Sequence, residues 1–303
     1  MPSIPELIVR RKRQDRWFAL VGLACTLIGL VTLVVLLGGL IRDGHHRLFD
    51  PAFYTSFPSA RAARAGILSP LVGSVLLAFV TILLAVPLGV AAGVYLEEYA
   101  PRNIWTTLIE INIANLAGVP SIIFGLLALG ALIYGLHLDR SLLVGGITLA
   151  LLILPIVIVT TREALRAIPQ GIREAAYALG ATKWQVVRHH LIPYSLGGIA
   201  TGTIIAMSRA LGESAPLMTI GALTFITFLP PAPVQAKPPF VNFQWLNSEF
   251  TAMPIQMFNW ISRPQAEFSA LAATAGVVLI LMTLSLNAVA IVLRYRLRKR
   301  IKW

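Results

Sequence analysis

Two opposite charges stand four residues apart inside an otherwise apolar stretch, Arg209 and Glu213 in Ala206-Met-Ser-Arg-Ala-Leu-Gly-Glu-Ser-Ala-Pro-Leu-Met218. The spacing puts both on one face of a helix. Placing either in hydrocarbon costs at least ~2.5 kcal/mol on insertion scales, so both must face a helical bundle or a wet cavity. Two uses fit. A guanidinium presents a planar fork of donors that suits the oxygens of a tetrahedral anion. The carboxylate then holds the fork, or accepts from the proton-bearing oxygen of an anion such as hydrogen phosphate. It would repel a fully deprotonated anion such as sulfate. The other use is a structural ion pair tying two helices together. Pro216 breaks the helix just beyond the pair and frees backbone groups to line a cavity.

A second informative stretch runs from Arg162 to Pro193. Pro169 should stop one helix. Ile172, Ala175, Ala176 and Leu179 then share a helical face. Gly180 can end that helix in a left-handed conformation. Thr182 with Gln185 fits a capping box that restarts it. The result is a short helix–Gly–helix element with basic flanks and an acid, Glu174, at its head. It suits insertion into a groove on a partner protein, or rest on a membrane surface.

Such elements need a scaffold, and the composition says which kind. Of 303 residues, 57% are hydrophobic and 13% charged, about half the charge of a soluble domain, so the apolar surplus belongs in lipid. Six runs are long enough to cross a bilayer: Trp17–Ile41, Ile67–Leu96, Ile111–Leu136, Ser141–Thr161, Leu191 to about Phe228, and Phe268–Leu293. In lipid the backbone must satisfy itself, so the expected fold is all-α, a polytopic bundle of six transmembrane helices. The first run is too long for a signal-peptide core and is read as a retained helix. Lys and Arg number 17 on the side holding both termini and the 162–193 loop, against seven on the other, which places both termini in the cytoplasm. The net charge of +12 is therefore topological information and not a nucleic-acid face. Gly89/Gly93 and Gly198/Gly202 have the spacing of close helix packing. In the Pro-rich external segment 229–267, the aromatics Phe240, Phe243, Trp245, Phe250, Phe258 and Trp260 are expected to anchor at the interface. Cys25 stands alone, and His45, His46 and His137 are too scattered for a metal.

The 162–193 stretch resembles the EAA motif of bacterial ABC importer permeases, E-A-A-x₃-G-x₉-I-x-L-P. Glu174, Ala175, Ala176, Gly180 and the closing Pro193 match it, while His190 and Ile192 depart mildly. The stretch Ser208–Leu217 is similar to the Arg-x-x-Gly-Glu-[Ser/Thr]-Ala-Pro-Leu signature of the PstA-type permeases of the phosphate-specific transport system. Val119–Gly125, Thr161–Leu165 and Met253–Pro264 add to the likeness, which covers roughly residues 67–294. This resemblance implies a type I importer permease bundle in a bacterial inner membrane, carrying phosphate or another oxyanion such as molybdate or sulfate. It implies that Glu174, Ala175, Ala176 and Gly180 form the docking site for an ATPase dimer. It also implies a homologous second permease and a periplasmic phosphate-binding protein as partners. Arg162 becomes a second candidate, beside Arg209 and Glu213, for handling the anion, with a positive-inside anchor as the alternative. The chain lacks G-x-x-x-x-G-K-[ST], so it holds no cofactor and is no enzyme: ATP and Mg²⁺ are expected on the partner ATPase. Neither H-E-x-x-H nor G-x-S-x-G is present, which argues against an intramembrane enzyme. The expected division is 1–66 (N-terminus, first helix, external loop), 67–294 (permease core with coupling loop 162–193) and 295–303 (basic tail).

Overall fold

The computed structural model describes residues 4–234 and 240–299. Helix α1 spans Ile4–Leu48, and a short α2, Pro51–Thr55, is capped by the Asp50 carboxylate. Helix α3 is Leu68–Val94, extended by a wider π turn over Tyr95–Tyr99. Helices α4 (Ile104–Leu116) and α5 (Ser121–Ala128, prolonged by a π segment to Gly135) follow. Helix α6 is Leu142–Arg166. The loop helices α7 (Gln170–Ala178) and α8 (Lys183–Val186) lead through a π turn, Val187–Leu191, into α9 (Ile192–Gly212). Then come α10 (Ala215–Thr219), α11 (Met253–Ile261) and α12 (Ala266–Lys299).

Glycine decides how the central helices pair. A Cβ at Gly89 would stand 2.6 Å from Val157, and one at Gly93 2.7 Å from Thr161. Both contacts step the same way along α3 and α6, so these helices run side by side and parallel. On the other side of α6, Gly198 meets Ala164 and Gly202 meets Thr160, so α9 runs antiparallel to α6. Small residues let these backbones approach closely, which is what drives helix association where lipid is as apolar as leucine. Polar ties add to this. Ser208 donates to Asn287 Oδ1 at 2.8 Å, and Arg294 Nη1 donates to Thr201 Oγ1 at 2.6 Å, fixing α12 antiparallel to α9. Thr274 donates to the Gly44 carbonyl at 2.9 Å, joining α12 to the end of α1.

Because α3 and α6 are parallel, the chain between them must return across the bundle. That return is the third apolar run, and it is not the single helix its composition suggests. It is the pair α4 and α5, bent by 107° at Gly118-Val119-Pro120. Pro120 lacks an amide hydrogen and excludes helical geometry from the residue before it. Among the described residues, six apolar segments are long enough to cross a membrane when the bent pair is counted once. The start of α1 and the end of α12 then lie on the face that carries α7 and α8.

Residues 220–234 and 240–262 fold back onto the opposite end. Leu223 N donates to Phe250 O, Ser69 Oγ to Ile226 O, and Leu142 N to Ser248 O. Trp245, Phe250 and Trp260 are buried in protein, whereas Phe240, Phe243 and Phe258 are exposed. Half of the expected interfacial aromatics therefore build the core. The irregular backbone between α10 and α11 needs covering, and these rings supply it.

Candidate anion path and coupling loop

Helix α9 ends where Glu213 takes extended geometry (φ −82°, ψ 121°), and α10 restarts with Pro216 in its first turn. The break was expected just beyond the pair, at Pro216; it comes at Glu213 instead, so Glu213 stands outside the helix and does not share a helical face with Arg209. The register of α9 on α6 places Arg209 at the level of Ile153, about midway along α6, so the break lies deep in the bundle. The second break, at Gly118–Pro120, comes to the same place. Arg209 Nη1 lies 3.5 Å from the Ala117 carbonyl, and Nε lies 3.5 Å from Glu213 Oε1. Both distances are long for charge-assisted hydrogen bonds, which close to about 2.7–2.9 Å. The Arg209 side chain is 39% exposed. Its fork therefore keeps donor capacity, and its surroundings are the polar ends of broken helices. Irregular backbone at membrane depth is tolerated only where it is buried in protein or lines a water-filled cavity. The two breaks are pressed together at Gly125, where a Cβ would stand 2.7 Å from the Pro216 backbone.

Arg162 sits elsewhere. It is buried at the loop end of α6, with Nε 3.3 Å from Glu97 Oε2 and Nη2 2.6 Å from Glu110 Oε1. Arg166 Nε shares the Glu97 carboxylate at 2.8 Å. In this conformation Arg162 faces two carboxylates and is not brought together with Arg209 and Glu213. A buried guanidinium needs such partners: removing one typically costs about 3–5 kcal/mol.

The loop folds as helix–Gly–helix. Gly180 has φ +81°, and Thr182 and Gln185 form the reciprocal capping box. Ala176 is buried with Leu165, Ile168, Val186 and Leu191 and Ile172 packs against them, but Ala175 and Leu179 point outward. Leu179 leaves the expected face because it lies past the last helical residue, whereas Ala175, inside α7, is exposed on the helix itself. Leu179 is 90% exposed beside exposed Glu174 and Gly180. Arg173 holds α7 in place. Its Nη2 donates to Glu98 Oε1 at 2.8 Å and to the Leu165 carbonyl at 3.0 Å, while Nη1 donates to the Ile168 carbonyl at 2.9 Å. Arg173, Glu97, Glu98 and Glu110 escape sequence reasoning because each looks like ordinary polar flanking of a span. The available signal was the scarcity of acids: three of only 13 fall on the basic side of the two spans around residue 100.

The fold is that of ABC importer membrane subunits. It matches a chain in the crystal structure of a bacterial ABC transporter involved in the import of the acidic polysaccharide alginate. The TM-score is 0.62 at 13% identity, over 95% of this chain and 98% of that one. An inward-facing MetNI methionine ABC transporter matches at TM-score 0.53 and 18% identity, over 77% and 94%. This protein therefore has the fold of an ABC importer membrane subunit. More narrowly, it belongs to the family of binding-protein-dependent transport system inner membrane components, whose model matches residues 85–303. Its relatives include the probable ABC transporter permease protein YqgI of Bacillus subtilis, 36% identical over 67% of this chain and 68% of that protein. The phosphate transport system permease protein PstA of Yersinia pestis is 32% identical over 92% and 90%, and its Haemophilus influenzae counterpart 33% over 80% and 85%.

Proposed function

We propose that this chain is one membrane half of an ATP-driven inorganic phosphate importer. The observation that carries this reading is the incompletely engaged Arg209 fork at the meeting of two helix breaks. The PstA relatives, similar over most of their length, favour phosphate as the anion. Arg209 attracts the anion, and Glu213 orients the fork and accepts from a protonated phosphate oxygen. Attraction from one incompletely paired cation is weak enough to let cargo leave, as conduction requires. A second, homologous permease faces the Arg209 side and completes the path. The Glu174–Gly180 element, with Leu179 as its apolar tip, docks on an ATPase dimer that binds ATP and Mg²⁺ and draws the loops together, exposing the path to each side in turn. A binding protein delivers phosphate from the far side, and both termini lie in the cytoplasm of a bacterium's inner membrane.

Cargo competition tests this reading. Transporter reconstituted with its binding protein and ATP should take up labelled phosphate, and excess sulfate or molybdate should leave that uptake unchanged. Uptake suppressed by either oxyanion would reassign the cargo.

A further inference from the structure

Beside the coupling loop, an outward-facing side of α3 carries an apolar groove of about 660 Å³. Val86, Pro87, Val90, Ala91, Tyr95 and Trp184 line it. It opens at the end of α3 that carries the loop, where Tyr95, Tyr99 and Trp184 make an aromatic rim of the kind found at the membrane–water interface. Past Tyr99 lies a polar pocket of about 380 Å³. Four cations line it, Arg102, Arg166, Arg173 and Lys183, against two acids, Glu97 and Glu98. The acids are already committed, Glu97 to Arg162 and Arg166, and Glu98 to Arg173. Among the described residues, Lys183 and Arg102 are in no ion pair. The Lys183 ammonium stands 5.0 Å from the centroid of Tyr99, at the boundary between groove and pocket.

We propose that groove and pocket form one site for an anionic phospholipid, with an acyl chain along α3 and the headgroup phosphate between Lys183 and Arg102. The unanswered positive charge chooses the occupant. A zwitterionic headgroup would bring its own cation against a basic rim, whereas an anionic one neutralises it. A long apolar trough ending in cations matches one molecule that is greasy along its length and negative at its head. Lys183 and Trp184 belong to α8, so a lipid seated here splints the coupling loop to the end of α3. The inference does not depend on the identity of the cargo.

The test exchanges the assembled transporter into nanodiscs of mixed phosphatidylglycerol and phosphatidylcholine, with bromine on the acyl chains of one lipid or the other. The Trp184 signal is the emission lost in Trp184→Phe. Brominated phosphatidylglycerol should quench it well beyond brominated phosphatidylcholine at equal mole fraction. The Lys183→Gln/Arg102→Gln double variant, changed only at exposed positions, should lower that preference about tenfold or more, given two cations each acting at the surface. Equal quenching by both lipids in the parent means unselective annular lipid and overturns the proposal. A preference that survives the double variant overturns it as well. Absence of quenching, with Ala91→Cys cross-linking to another chain of the complex, would show that protein covers the groove.

Discussion

Arg173 and Glu98 join the loop helix α7 to the end of α3: Nη2 lies 2.8 Å and Nε 3.2 Å from the same carboxylate oxygen. Glu98 is itself largely buried. Helix α7 therefore cannot shift without moving α3 or breaking a charge-assisted contact. Arg173→Ala leaves that carboxylate short of its partner and should cost about 1.5–3 kcal/mol. The expected phenotype is ATP hydrolysis that no longer scales with uptake. The swap Arg173→Glu with Glu98→Arg should restore part of the coupling, as measured by the ratio of phosphate moved to ATP hydrolysed. A swap no better than either single change would show that the pair does not link the two helices.

Gly180 and Gly171 offer a paired comparison. Gly180 needs φ +81°, whereas Gly171 lies in α7 with open space around its Cβ position. Alanine at 180 should cost about 1–2 kcal/mol and re-aim Leu179. Alanine at 171 should be neutral or mildly stabilising. Co-purification of the ATPase should fall in Gly180→Ala and hold in Gly171→Ala. Equal retention would remove the turn from the docking site.

The same loop shows what a sequence can and cannot reveal. The glycine turn and the capping box were legible, because φ > 0 and reciprocal capping are local demands written in residue type. So was the break near Pro216. The bend at Pro120 was hidden inside a continuous apolar run, since hydropathy measures preference for lipid and not direction. The partners of Arg162 and Arg173 were invisible for a different reason. Glu97, Glu98 and Glu110 are 65, 75 and 52 positions from the arginines they meet, and it takes the end of α3, α4 and α7 all meeting at the loop end of α6 to bring them together. The period puts Leu179 on one helical face with Ile172, Ala175 and Ala176, yet it lies beyond the helix that would have carried that face.

Gly125 tests the contact between the two breaks. An added methyl would collide with the Pro216 backbone and the Thr219 side chain. Overpacking of this kind costs about 1–3 kcal/mol. At about 2–4 °C per kcal/mol for a chain of this class, Gly125→Ala should lower the melting midpoint by several degrees. Gly197→Ala, in α9 with nothing within 4 Å, serves as the control and should not lower it. Equal midpoints for the two variants would mean that α5 and α10 are free to separate.

Arg162 should behave as structure and Arg209 as path. Arg162→Met leaves Glu110 unpaired and removes one partner of Glu97, so the folded protein should be recovered in lower yield. Glu110→Gln in the Arg162→Met background should restore part of it, because one unpaired carboxylate is removed. Arg209 is more exposed, and its contacts are long. Arg209→Ala should therefore leave yield and melting midpoint close to the parent.

Everything in the proposed cargo path turns on the Arg209 guanidinium handling the anion. The direct measurement is ATP-dependent uptake of labelled phosphate by proteoliposomes carrying the assembled transporter, with Arg209→Ala and Arg209→Lys beside the parent at matched ATPase content. Loss of a charge-assisted contact to phosphate should lower uptake about tenfold or more in Arg209→Ala. Arg209→Lys should recover part of it, keeping the charge but losing the fork. Uptake by Arg209→Ala equal to that of the parent would contradict the account, leaving a permease whose cargo passes somewhere else.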